Sequence, residues 1–167
     1  MAELTPSERL QPSLLDRLTD DEPEQSVESR DRRVLSLDKI RACVLRDLQW
    51  LLNASNMDQV KDLEEYPQVQ NSVLNYGIPD LTGLTASGIQ VSELERRIRD
   101  SIWRFEPRIL RHTLRVTARL YGNLSNNNAL VFEIAGEMWA QPLPLQLYMR
   151  TEVDLDTGNV LVQEMKR

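Results

Sequence analysis

The sequence predicts an α+β fold: three helices packed on one face of a small antiparallel β-meander. Three observations predict it. Apolar residues recur at helical spacing in three stretches between residues 36 and 106. After Pro107 the period changes to two. Clusters of turn-forming residues then separate the alternating runs, which gives helices first and a meander after them.

Taken in order, residues 1–33 form an acidic segment with nine acids, five arginines and three prolines, too polar to bury a core. This segment is expected to be largely flexible. Within it, Ser13-Leu14-Leu15-Asp16-Arg17-Leu18 reads as a short docking helix near 13–19. Ser13 is placed as its N-cap, and Leu14, Leu15 and Leu18 share one face. That face either folds back on its own domain or docks on a partner. Residues 34–167 are expected to form the α+β domain.

The first long helix runs from Ser36, the expected cap, to Leu52. Its stripe is Ile40, Val44, Leu48 and Leu51 or Leu52, with Trp50 off centre. Residues 57–65 read as irregular. Pro67 starts a second, shorter helix with Val69, Val73 and Leu74 facing inward and Gly77 as its C-terminal cap. Residues 81–90 read as a loop without the spacing of a phosphate-binding motif. Ser92 and Glu95 form a capping box that opens a third helix, with Leu94, Ile98, Ile102 and Phe105 in its stripe. Pro107 ends it.

Leu110 to Leu120 alternates as a first strand, with His112 on the inward parity or at its edge. Asn123–Asn128 reads as a turn. Ala129–Ala135 is the second strand and Leu145–Leu155 the third. Asp156-Thr157-Gly158-Asn159 turns the chain into a final short strand from Val160. A short strand at a sheet edge leaves backbone groups that a strand of another chain can complete.

The chemistry-bearing candidates are few. The net charge of −6 argues against nucleic-acid binding, although residues 90–121 carry eight arginines and four acids. That local basic face reads as a docking face for an acidic partner. One histidine and one cysteine, Cys43, offer no zinc spacing, no disulfide and no nucleophile–base pair, so neither a metal nor a cofactor is expected. No apolar run is long enough to insert into a membrane, and a cytoplasmic location is expected. Glu106, Glu133 and Glu137 are the acids closest to structured segments, and a glycosidase needs two such acids in different protonation states. Arg104, Arg108 and Arg111 surround Glu106 and favour its charged form, the wrong state for a proton donor. No catalytic residue is therefore assigned.

The expected site is the junction of helix and strand, where Glu106 and Arg108 flank the stiff Pro107, with Arg104 one turn before. Opposite charges held at a rigid corner suit protein contact, or else form an internal ion pair. Phe105-Glu106-Pro107-Arg108 after an arginine-rich helix resembles the baseplate wedge family shared by contractile phage tails and type VI secretion systems. Leu74–Leu81 (LNYGIPDL), Phe132–Gly136 (FEIAG) and Tyr148–Gly158 (YMRTEVDLDTG) fit the same pattern in the same order. The Ser13–Leu18 island looks like the N-terminus of the secretion-system members. The resemblance spans roughly residues 13–163.

It implies a non-enzymatic structural subunit in a large hetero-oligomeric assembly, binding other baseplate wedge subunits and the contractile sheath protein. It also implies that Glu106, Pro107, Arg108 and Arg104 contact the helical bundle of the wedge partners, and that Leu14, Leu15 and Leu18 dock on a partner. Sheath strands would add to the sheet near the C-terminus. Some members carry the label lysozyme-like, so a peptidoglycan-cleaving hydrolase is the alternative.

Overall fold

Pro107 divides the chain into a helical half and a sheet half, and the computed structural model shows both packed around one core. Residues 13–19, 24, 37–82, 90–120, 129–139 and 144–165 are described. The expected Ser36 cap, the Asn123–Asn128 turn and most of residues 1–33 lie outside them.

Four α-helices are present among the described residues: α1 (Leu14–Leu18), α2 (Leu37–Leu52), α3 (Pro67–Gln70) and α4 (Val91–Phe105). The strands β1 (Arg115–Leu120), β2 (Ala129–Met138), β3 (Leu145–Asp154) and β4 (Val160–Glu164) form an antiparallel meander in chain order. α2 buries Ile40, Cys43, Val44, Leu48, Leu51 and Leu52, the stripe expected of it plus the cysteine. α4 buries Leu94, Ile98, Ser101 and Ile102. All of these side chains except Ser101 join Leu130, Phe132, Ile134, Leu147, Met149 and Val153 of the sheet in a single apolar cluster. The two long helices touch each other, with α4 beside β1 and α2 beside β4.

Several expectations are corrected. The second helix shrinks to one turn, so two long helices build the helical layer rather than three. The cause is local: the Asn71 carboxamide donates to the Pro67 carbonyl, and Ser72 turns extended and caps a new 3-10 turn at Val73–Asn75. Val73 and Leu74 consequently face solvent at 79% and 67% exposure instead of facing inward. Gly77 sits where expected but caps no helix. At φ +123° it brings Ile78 beside Ser55, and a Cβ there would meet the Ala54 carbonyl oxygen at 2.1 Å.

The capping box of the third helix does not form. α4 begins at Val91 without a side-chain cap, and the Glu95 carboxylate accepts the backbone N–H of Ala118 on β1 at 2.7 Å. The first strand begins at Arg115 instead of Leu110, because residues 110–113 make a turn closed by Thr113 on Leu110. That turn breaks the parity argument for His112, which is exposed.

Candidate partner-docking site

The Glu106 corner follows from three local facts. Pro107 cannot donate to the helix ladder, so α4 closes with the N–H of Glu106 on the Ile102 carbonyl at 2.8 Å. Glu106 then leaves helical geometry at φ −122°, ψ 77°. This turn brings Arg108 back over the carboxylate of Glu106. Its Nε donates to Oε1 at 2.7 Å and its Nη2 to Oε2 at 2.5 Å, a bidentate fork. The Arg108 backbone N–H adds a third bond to Oε1 at 3.2 Å. The Glu106 side chain is 4% exposed and that of Arg108 26%.

The pair does not stand alone. Arg108 Nη2 also donates to Asp47 Oδ2 of α2. Asp47 Oδ1 accepts from Arg46 Nε at 2.9 Å and Nη2 at 2.7 Å. Arg46 Nη2 reaches Asp16 Oδ1 of α1 at 2.7 Å. A continuous chain of alternating charges, Glu106–Arg108–Asp47–Arg46–Asp16, therefore runs from the end of α4 across α2 to the N-terminal helix. It holds three acids and two arginines.

Its electrostatics favour the charged forms. Burial disfavours the Arg108 cation, but the bonds to Glu106 and Asp47 outweigh it and push the guanidinium pKa upward. Burial likewise opposes ionisation of Asp16. Hydrogen bonds from Ser13, Arg46 and Cys43 overcome it and lower the Asp16 pKa to about 2. The Cys43 thiol is pushed up by burial and by the adjacent Asp16, which makes it a poor nucleophile.

This network connects the two parts of the expected site. Asp16 faces α2, capped by Ser13, so the leucines of α1 turn outward: Leu14 is 71% exposed, Leu15 44% and Leu18 74%. The helix both folds back and presents its apolar face. Arg104 is spent elsewhere, donating at 2.8 Å to the carbonyl of Gln70, the last residue of α3. Pro107 is exposed at the tip of the corner. Sequence reasoning missed Asp16, Arg46 and Asp47. A signal existed: Cys43, Arg46, Asp47 and Trp50 recur at three and four residues on α2 beside its apolar stripe, and the Arg46 guanidinium stacks over Trp50 at 5.0 Å.

The other acids do not form an acid pair with Glu106. Glu137 accepts from the Gln146 side chain at 2.6 Å on the sheet, and Glu133 lies opposite Arg150 in the β2–β3 register. Among the described residues, no group of three His, Cys, Asp or Glu side chains is placed to hold a metal ion, and no helix is long and apolar enough to cross a membrane.

Residues 38–143, well over half of the chain, match a family model described as baseplate wedge protein gp25. The match takes in α2, the Glu106 corner, β1 and β2, and leaves out α1, β3 and β4. No curated protein and no solved structure matches the chain.

Proposed function

The chain belongs to the baseplate wedge protein gp25 family, and from that premise we propose that it is a structural baseplate subunit of a type VI secretion system, of the TssE kind. In this reading it is no enzyme. It joins other wedge subunits in a cytoplasmic hetero-oligomeric baseplate and helps the contractile sheath begin to polymerise. The family match covering the Glu106 corner is the observation that carries the reading.

The chemistry of the corner supports a docking role. Glu106 and Asp47 fix the Arg108 guanidinium in one orientation before any partner arrives, and Arg108 keeps part of its surface exposed. Pre-set donors lose little entropy on binding, which favours affinity. The exposed leucines of α1 lie at the far end of the same charge chain and give a second, apolar contact. A helical bundle with acidic and apolar residues fits both. The hydrolase alternative needs an acid aimed at a substrate. Glu106 instead spends its oxygens on Arg108.

Co-purification of the intact chain from its native cell, followed by mass spectrometry, tests the reading. Wedge subunits and sheath protein should be recovered together. A Glu106→Ala/Arg108→Ala variant that keeps native circular dichroism should lose the wedge subunits. Undiminished recovery would remove the corner from the interface. Peptidoglycan turnover by the purified protein, abolished by Glu106→Gln, would overturn the non-enzymatic reading.

A further inference from the structure

After α2 the chain makes a 3-10 turn at Met57–Gln59, the single turn of α3 and a second 3-10 turn at Val73–Asn75, and polar bonds hold these in one shape. The Asn75 side chain is buried and accepts the N–H of Asp58 at 2.9 Å, which joins the second 3-10 turn to the first. Its amide donates to the Gln70 carbonyl at 3.1 Å, the same oxygen that takes the bond from Arg104. The Tyr76 ring meets Phe105 edge-on at 5.1 Å, which fixes the loop beside the end of α4. Leu63 is buried within the loop, apart from the main core.

A loop held this firmly nevertheless turns its apolar side chains to solvent. Met57, Val60, Tyr66, Val73 and Leu74 are all exposed, Val60 at 89%. Apolar groups concentrated on a rigid loop mark a contact surface. The charge around them has one sign. Asp58, Asp62, Glu64 and Glu65 stand against Lys61 alone, and Lys61 lies over the Tyr66 ring at 5.1 Å. Among the described residues, no arginine or lysine pairs with Asp62, Glu64 or Glu65, and all three acids are exposed. The backbone is closed to an added strand. The N–H groups of Val60, Lys61, Tyr66, Asn75 and Tyr76 bond to carbonyls within the loop, and that of Leu74 bonds to the Ser72 hydroxyl. A partner must bind through side chains alone.

We propose that the 57–76 loop receives an amphipathic helix of another protein, apolar on one side and flanked there by lysine or arginine. A helix satisfies its own backbone and offers only side chains, which is what the closed loop requires. Its apolar side covers Val60, Val73 and Leu74. Its cations meet Asp62, Glu64 and Glu65, which select it over an acidic helix and repel an anionic lipid surface. Asn75 and Arg104 set the loop's shape in advance, so little order is lost on binding. The proposal rests on the loop's own chemistry and stands whether or not the baseplate reading does.

Amide shifts of the isotope-labelled full chain test it with two synthetic helices of equal length and leucine spacing, one of leucine and lysine, the other of leucine and glutamate. The lysine helix should move the amides of Val60, Val73 and Leu74, with an affinity that falls several-fold as salt is raised. The glutamate helix should leave them in place. Val73→Ser/Leu74→Ser should keep native circular dichroism and bind the lysine helix about tenfold more weakly. Asp62→Asn/Glu64→Gln/Glu65→Gln, which keeps the apolar face, should bind it several-fold more weakly and with a flatter salt dependence. A photo-cross-linker placed at Leu74 in the native cell should then join a basic amphipathic helix of another chain. Equal binding of the two helices, no binding of either, or shifts confined to other residues overturns the proposal. So does a cross-link to an acidic segment, to a second copy of this chain or to lipid.

Discussion

The corner after α4 and the helix α1 are both candidate contact surfaces, yet they are built in opposite ways. At the corner, Glu106 is buried, three hydrogen bonds from Arg108 satisfy it, and the family match covers it. At α1, three leucines face solvent, five residues of helix hang on the Asp16–Arg46 pair, and the family match stops short. The corner spends its chemistry on holding its own shape. The helix spends its one buried carboxylate on attachment and leaves its apolar face for something else. A buried ion pair fixes geometry while adding little net stability. An exposed apolar face offers binding area while adding no folding stability.

Breaking the corner should have the largest effect. Glu106→Ala leaves the half-buried Arg108 with Asp47 alone, and should lower the unfolding free energy by about 3 kcal/mol in urea titration. Glu106→Ala/Arg108→Ala should lose less than the sum of the single changes, because no unpaired charge remains. Additive losses would mean that the two groups do not act as a pair. At α1 the effects should be smaller. Asp16→Ala should release the helix, seen as unprotected amides at residues 16–19, while global stability falls by about 1 kcal/mol or less.

Acid should reproduce that release. The Asp16 carboxyl titrates at about 2, against an ordinary value of 3.8. Its ion pair therefore supports attachment fully above about pH 4, and that support is lost as pH falls towards 2. An α1 that detaches already at pH 6 would locate the tether elsewhere. Leu14→Ala/Leu18→Ala should have the smallest effect on folding, within about 0.5 kcal/mol of the parent, yet weaken partner recovery. A large loss of stability would mean that the leucines are covered within the chain itself, and the contrast with the corner would collapse.

Much of this was legible in the sequence, for reasons that differ by element. The stripe of α2 and the alternation of β3 were legible because each repeats over several periods against one core. The stop at Pro107 was legible because proline removes a donor whatever surrounds it. The short second helix was not, because a propensity argument from Pro67 cannot see Asn71 and Ser72 diverting the backbone. His112 misled because parity holds only inside a continuous strand, and a turn at Leu110–Thr113 interrupts it. The Ser92–Glu95 pattern misled because Glu95 had a better partner on β1 than on its own helix.

The chain's local chemistry by itself determined where the two long helices end, which of their faces are apolar, and that opposite charges flank a rigid proline. Tertiary structure alone decided what those charges meet. Asp16, Asp47 and Arg108 are separated by 31 and 61 residues, and Asn53 and Val160 by 107. Periodicity records how a segment relates to the core. It carries no record of which distant polar groups will be brought within hydrogen-bond range, and packing fixes that only once the whole chain is folded.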